Sequence, residues 1–231
     1  MNSNEMVVAA RICHRFTALT RASMDHLGCR VETLRSTIAR PLLASSVDHA
    51  LSLTHLLSQN DPANAYSAVA LFRLQLDAMG RGVFFALPAH SSDEEVERFS
   101  SSSKMPKRQQ PNGGINHITL AQLLDVARTE LKALVGEEIQ NRIDQTFRYA
   151  LDHFNGFVHG GNSVKSAYKE INGRYIFLPD FSVLRSLAMH CAALALTAHA
   201  INLVHLCGAD RIPISKEWEE ARSAYIGLGT P

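Results

Sequence analysis

The chain has 231 residues, 46% hydrophobic and 19% charged, so it is long and apolar enough to bury a substantial core. This composition excludes a disordered tail, and four scattered cysteines without a CxxC pair exclude a disulfide-stabilised small scaffold. We interpret the cysteines as reduced, mostly buried thiols. The formal net charge of +1 excludes binding to nucleic acid or an anionic membrane through a global field, so any such binding requires a local patch.

The N-terminal sequence MNSNEMVVAARICHRF has the wrong charge layout for a secretory signal, which predicts a cytoplasmic protein. Two apolar stretches, 68–87 and 187–207, approach the length of a membrane span. Charged side chains inside the first would each cost about 2.5–3.5 kcal/mol in a bilayer. The second is rich in alanine and includes three histidines and an asparagine, which favours a packed soluble helix. We therefore expect no membrane association.

Nearly every periodic segment repeats at the helical period, which predicts an all-α, up-and-down helical bundle in a single domain, 1–231. Asp61 and Pro62 are typical of an N-cap and a first helical residue, and Pro41 likewise predicts a helix start. The predicted helices cover 4–39 with a possible break near Gly28, then 41–58, 62–87, 119–135, 137–159, 180–207 and 215–225.

Two segments depart from the helical pattern. Residues 89–116 contain four consecutive serines, a basic cluster, prolines and Gly-Gly, which predict at most one short helix in an otherwise flexible loop. This loop is either simply solvated or a cationic contact. Residues 167–178 contain Asn172-Gly173 between β-favouring residues, which predicts a small β-hairpin.

A polar stripe is predicted on the helix over 137–159. Arg148, Asp152, Asn155 and His159 lie within about 60° of one another on a helical wheel, opposite an apolar face, whereas His153 lies about 140° from Arg148. A guanidinium and an imidazole on one face can bind a phosphate and move a proton. The alternative is the ordinary solvated face of an amphipathic helix.

A second polar set interrupts the apolar helix over 62–87. Arg73, Asp77 and Arg81 follow one another at spacings of four residues, with Tyr66 and Phe84 close in angle. We expect this helix to be nearly fully buried, with Asp77 bridging the two arginines and one net positive charge remaining. The set is either a structural ion-pair ladder or a pocket for an anion. The remaining positive charge could be neutralised by a bound anion or by a carboxylate such as Asp152.

Other site chemistries find little support. The eleven histidines are badly phased for shared coordination, and there is no HExxH or paired-cysteine pattern, so we predict no metal and no cofactor. A metal site assembled from several helices stays an alternative. The sequence has no GxGxxG after a strand, no GxxxxGK[ST] and no GxSxG, which argues against nucleotide-dependent oxidoreductases, kinases and serine hydrolases.

The apolar helix AVALFRLQLDAMGR followed by a late helix ending FNGFVHGG resembles the HEPN superfamily, especially its poorly characterised bacterial members. The resemblance covers about 65–161 and the helix after it. It implies a metal-independent endoribonuclease with an R-x4-H motif, in which Arg148 contacts the phosphate and His153 is the acid/base. Tyr149 replaces the polar residue expected after the arginine, and His159 has the better phase at a longer spacing.

The resemblance further implies a homodimer in a bacterial cytoplasm, in-line attack by an RNA 2′-hydroxyl, and a toxin or phage-defence setting. Many members of the superfamily have lost the motif and serve as binding or scaffold modules. Our leading hypothesis is a polar groove for RNA or another phosphate-bearing ligand. The alternatives are a non-catalytic module that binds a protein partner through the hairpin or the loop over 91–116, and a regulatory anion pocket at Arg73 and Arg81.

Overall fold

The computed structural model of the chain describes residues 2–27, 32–59, 61–109, 113–134, 141, 144–145, 168–177, 180–208 and 215–229. Within these residues seven α-helices and two antiparallel two-stranded sheets form a helical bundle, which confirms the predicted all-α class. The helices are α1 (Ser3–His26), α2 (Leu34–Ser58), α3 (Pro62–Ala86), α4 (Asp93–Ser102), α5 (Leu120–Leu134), α6 (Phe181–Ile201) and α7 (Lys216–Ile226). The strands are β1 (Lys107–Gln109), β2 (Ile115–His117), β3 (Tyr168–Ile171) and β4 (Arg174–Phe177).

Capping residues set the start of α2, and here one prediction was wrong. Thr33 accepts a hydrogen bond from the Ser36 amide while the Ser36 hydroxyl accepts one from the Thr33 amide, so a capping box opens the helix at Leu34. Pro41 therefore lies inside α2 and does not begin it. A proline within a helix leaves one backbone carbonyl without its helical donor, a loss that the packing of α2 against its neighbours offsets.

The segment 89–116 contains more regular structure than the sequence indicated. Ser92 and Glu95 form a capping box that opens α4, which confirms the single short helix predicted there. β1 and β2 pair in a hairpin that the sequence analysis did not predict, with Lys107 opposite His117. The second hairpin, β3–β4, was predicted: Asn172 and Gly173 adopt φ values of 52° and 72°, as a tight two-residue hairpin turn requires.

Helix α6 forms the centre of the bundle and packs against α1, α2 and α3. The stretch Phe181–Leu206 is long and apolar enough to cross a membrane. Its most apolar 18 residues have a mean hydropathy of 1.6, yet 78% of that window is buried inside the protein, which fits a core helix. Five residues of π-helix, Asn202–Leu206, continue α6 and are called the π segment below. Helix α7 packs on α1 through the buried Trp218, and Tyr225 stacks on Phe16 with ring centroids 5.0 Å apart.

The cysteines that the structure describes are buried thiols. Cys13, Cys191 and Cys207 are not joined in disulfides within the described part of the chain, and Cys29 lies outside it. Burial raises the pKa of Cys13 to about 12, although the nearby Arg185 lowers it in part. A thiol with so high a pKa stays protonated at neutral pH and is a poor nucleophile, so Cys13 has a packing role.

Candidate ligand-binding face on helix α3

One side of α3 is left partly uncovered by the helices that pack around it. We call this side the α3 face. Three of its residues are exposed: Tyr66, Ala70 and Leu74. Three more are half-buried: Arg73, Asp77 and Arg81. They lie within about 100° of one another because their spacings are close to whole helical turns. The expectation that α3 is almost fully buried was therefore wrong, and Leu74 is 50% exposed.

The charges of the α3 face are partly paired. Arg81 Nε lies 2.9 Å from Asp77 Oδ2, one helical turn away, and the two side chains are 33% and 37% exposed. The Nε–H of Arg81 makes no aligned hydrogen bond at this distance. An ion pair this exposed contributes about 0–1 kcal/mol to stability, so it is weakly held and open to exchange with a ligand. Arg73 lies one turn before Asp77 on the same face.

Aromatic side chains border one end of the α3 face. Tyr66, near the start of α3, is 38% exposed. Its ring meets the ring of Tyr168 on β3 edge-on, with centroids 6.2 Å apart. The predicted hairpin therefore lies beside the α3 face and brings a second tyrosine to it.

The other end of the α3 face is closed by the β1–β2 hairpin. Phe84, which the sequence placed close in angle to the arginines, is buried, and the Arg108 guanidinium lies 6.0 Å from its ring centroid. Arg108 donates to both carboxylate oxygens of Glu95 and to the carbonyl of His90. At the basic end of the 89–116 segment, the charge of Arg108 is thus neutralised by Glu95, at a position where the arginine side chain is partly exposed.

The ion pair with Arg108 stabilises the ionised form of the Glu95 carboxylate. Burial raises the pKa of Glu95, but hydrogen bonds from Arg108 and from the Ser92 amide outweigh burial and lower the pKa below its ordinary value. The anionic form is the one that fits this position. Nearby, His90 Nε2 lies 2.9 Å from Glu130 Oε1, which joins the turn after α3 to α5. Sequence spacing gave no signal for these contacts, because their partners lie on different elements.

The predicted site residues fall into two groups. Arg73, Asp77 and Arg81 are described, and the structure brings Asp77 and Arg81 into contact. The residues of the polar stripe, together with His153, lie outside the described residues: Arg148, Asp152, Asn155 and His159. Within the ranges that are described, no group of three or more His, Cys, Asp or Glu side chains is arranged to hold a metal ion.

The chemistry available on the α3 face is that of anion binding. The face has two guanidiniums, and arginine presents paired donors that match phosphate and carboxylate oxygens. The two tyrosines add flat surfaces beside these donors. The described side chains of this face include no imidazole, so acid–base chemistry would have to come from another element.

These features define an all-α helical-bundle protein with an arginine-bearing, half-exposed helix. The chain belongs to DUF6988, a family of unknown function whose profile matches residues 43–221. The matched range includes both α3 and the predicted stripe over 148–159. No curated protein and no solved structure matches the chain.

Proposed function

We propose that this protein is an HEPN-like helical protein that binds RNA or another phosphate-bearing ligand along the α3 face. The observation that carries the proposal is the half-exposed set of Arg73, Asp77 and Arg81, which places two guanidiniums on one partly uncovered side of α3. Guanidiniums on successive helical turns are spaced to contact more than one phosphate oxygen, and their partial exposure leaves them accessible. The weak Asp77–Arg81 pair leaves Arg81 able to exchange partners at small cost.

The tyrosines favour a nucleic acid over a simple anion. Tyr66 is exposed beside the arginines and touches Tyr168 of the β3–β4 hairpin. Unpaired RNA bases stack on aromatic side chains while basic residues track the backbone, and each stacked base contributes about 1–3 kcal/mol. Single-stranded RNA therefore suits this face better than a duplex.

The enzymatic form of the proposal places the reaction at the polar stripe. Arg148 would stabilise the charge that develops on the phosphoryl oxygens, and His153 or His159 would move the proton. The RNA 2′-hydroxyl loses its proton and its oxygen bonds to phosphorus, while the bond to the 5′-oxygen breaks and that oxygen is protonated. The proposal further includes a homodimer in the cytoplasm, in a toxin or phage-defence role.

Binding is tested by fluorescence anisotropy with a labelled mixed-sequence single-stranded RNA in EDTA. We expect wild-type protein to bind, and the Arg73→Gln, Arg81→Gln variant to bind about tenfold or more weakly with a smaller salt dependence. The matched control is Arg11→Gln with Lys216→Gln, which removes the same charge from exposed positions on α1 and α7. No binding by the wild type, or equal weakening in the control, contradicts the proposal.

One further substitution should change the RNA affinity in the opposite direction. Asp77→Asn keeps the side-chain shape and removes the carboxylate that pairs with Arg81, so RNA should bind more tightly to this variant than to the wild type. Cleavage is measured separately, on the same RNA in EDTA, by gel electrophoresis. The cleavage variants combine Arg148→Ala with either His159→Ala or His153→Ala, and loss of cleavage in them supports the enzymatic form of the proposal. If the wild-type protein binds RNA without cleaving it, the enzymatic form is contradicted and the RNA-binding form stands.

A second candidate function is a protein-interaction module, and the β3–β4 hairpin favours it. Lys169, Glu170, Asn172, Gly173 and Arg174 are all exposed on this hairpin. Affinity capture with wild type and with a hairpin variant, Lys169→Ala with Arg174→Ala, tests it. A stoichiometric protein partner that the hairpin variant loses and the Arg73→Gln, Arg81→Gln variant keeps supports this function over RNA binding.

A further inference from the structure

A cavity of about 380 Å³ lies between the end of α1, the first turns of α2 and the π segment, on surfaces separate from the α3 face. This volume falls within the range of small-molecule sites, about 300–1,000 Å³. Its apolar lining is Met24, Pro41 and Ala44. Its polar lining includes Arg21, Asp25, Glu32, Arg40 and Asn202.

Some of the charged side chains around the cavity have oppositely charged partners and others do not, among the residues that the structure describes. Arg21 donates to Asp48 over 2.7 Å and also to Asp25, so its charge is matched. Arg40 donates to the carbonyl oxygen of Leu27 over 2.7 Å and has no carboxylate partner among the described residues. Glu32, on the exposed rim, has no cationic partner within those residues either. Among the described residues, the cavity therefore presents one positive and one negative group that make no ion pair.

The floor of the cavity carries an unused hydrogen-bond acceptor. Asn202 is 1% exposed, and its Oδ1 has no hydrogen-bond partner in the described part of the chain. One turn earlier on α6, His199 contacts the Ser23 hydroxyl through Nε2 over 3.1 Å, and its Nδ1 is likewise without a partner there. A buried polar atom left unpaired costs about 1–3 kcal/mol, so an orphaned acceptor at a cavity floor points to a missing donor.

The backbone at this point is also irregular. Asn202 is the first residue of the π segment, where α6 changes from α-helical to π-helical geometry. Short π-helical stretches are rare, are less stable than regular helix and concentrate at functional sites. The wider turn begins at Asn202, a residue that lines the cavity.

We propose that this cavity binds a small zwitterion of amino-acid type, with one carboxylate and one ammonium group. Arg40 receives the carboxylate, Glu32 faces the ammonium, and Asn202 Oδ1 accepts an N–H from the ligand. The aliphatic part of the ligand contacts Met24, Pro41 and Ala44. A ligand with only one charge would leave either Arg40 or Glu32 unneutralised, so the paired charges favour a zwitterion over a simple anion or amine.

The first experiment measures the melting temperature with a panel of L-amino acids, from alanine to leucine and glutamine. Acetate and methylamine serve as single-charge controls. We expect at least one amino acid to raise Tm, by about 5–10 °C at about one hundred times its Kd, and neither control to do so at the same concentration. No shift with any amino acid, or an equal shift with acetate, overturns the proposal.

The second experiment locates the site by calorimetric titration of the best amino acid. Arg40→Gln and Glu32→Gln should each weaken its affinity about tenfold or more. Glu32 is exposed and makes no ion pair among the described residues, so the ligand-free Tm of Glu32→Gln should match the wild type. The matched control is Arg222→Gln with Glu219→Gln, an exposed ion pair on α7. Unchanged affinity in the two cavity variants, or equal weakening in the control, overturns the assignment to this cavity.

Discussion

The Gln75 side chain, in the middle of α3, donates a hydrogen bond from Nε2 to the carbonyl oxygen of Cys191 on α6 over 2.9 Å. Both residues are fully buried. At the same level the Ser46 hydroxyl of α2 donates to the carbonyl oxygen of Gln75 over 3.1 Å. One buried polar residue therefore joins three helices of the core, in a helix whose other inward positions are apolar.

Two substitutions of Gln75 should separate its packing from its hydrogen bond. Gln75→Ala leaves a cavity and should lower the free energy of unfolding by about 2–4 kcal/mol. Gln75→Met fills the space and also removes Oε1, which has no partner among the described residues. The free energy of unfolding of this variant should therefore fall by less than about 1.5 kcal/mol. Urea unfolding followed by circular dichroism measures both, with Gln59→Ala at the exposed end of α2 as the control. A methionine variant as unstable as the alanine variant would show that the hydrogen bond dominates.

Helices α2 and α3 approach closely at Gly82. A Cβ atom at this position would lie 2.8 Å from Leu43 Cγ and Cδ2, closer than atoms pack. Gly82→Ala should therefore destabilise the protein by about 1–3 kcal/mol, although alanine favours a helix by about 1 kcal/mol over glycine.

Leu43→Val supplies the test of that mechanism, because a smaller side chain gives the new methyl group room. The double variant should be more stable than the sum of the two single effects predicts, by a coupling of about 0.5 kcal/mol or more. Gly227→Ala is the control, since nothing lies nearer than 3.4 Å to its Cβ position. Strict additivity in chemical denaturation would exclude the contact as the cause.

Two buried histidines should make stability depend on pH. Burial lowers the pKa of both His190 and His199 to about 4, from about 6.5 in the unfolded chain. Below pH 6.5 the unfolded chain therefore binds more protons than the folded one, so stability falls as pH falls and levels off near pH 4. Each histidine should remove about 3 kcal/mol over this window, as an order of magnitude.

The comparison that isolates these histidines is between wild type and His190→Gln with His199→Gln. Urea unfolding at pH 7 and pH 5 should show a smaller loss of stability on acidification in the double variant than in the wild type. His26→Gln, an exposed position at the end of α1, should leave the wild-type loss unchanged. Equal pH dependence in all three proteins would mean that other groups govern the acid sensitivity.

The Arg108–Glu95 pair should hold the β1–β2 hairpin against the bundle. Glu95 is nearly buried, so Arg108→Gln leaves a carboxylate without its main partner and should cost about 1–3 kcal/mol locally. Hydrogen exchange of 107–109 and 115–117 should then accelerate about tenfold or more. Lys107→Gln, at the exposed neighbouring position, should change neither. Unaltered exchange in the Arg108 variant would show that the hairpin is held by other contacts.

The helix ends were predictable where a single local signal set them. Asp61-Pro62 and Ser215 mark the starts of α3 and α7, and Asn172-Gly173 marks the turn of β3–β4, because each signal acts within a few residues. The prediction that Pro41 begins α2 was wrong, because the capping box at Thr33 and the packing of the surrounding helices outweigh one lost backbone hydrogen bond.

Features that depend on contacts between distant elements were not predictable. The strands of β1–β2 are polar and short, and an Arg108–Glu95 contact across thirteen residues and two elements leaves no periodic trace in the sequence. For the candidate site, helical spacing correctly placed Asp77 beside Arg81, since that contact lies within one helix. Spacing could not give the exposure of the α3 face or the Tyr66–Tyr168 contact, which depend on what packs nearby.

The central position of α6 delays completion of the fold during synthesis. Ser23 meets His199, and Thr20 accepts a hydrogen bond from Trp218, 198 residues further along the chain. Translation adds roughly 5–20 residues per second, so α1 leaves the ribosome on the order of ten seconds before α6. During that interval the apolar sides of the nascent helices stay open to chaperones and to aggregation, and only the arrival of the late helix closes them.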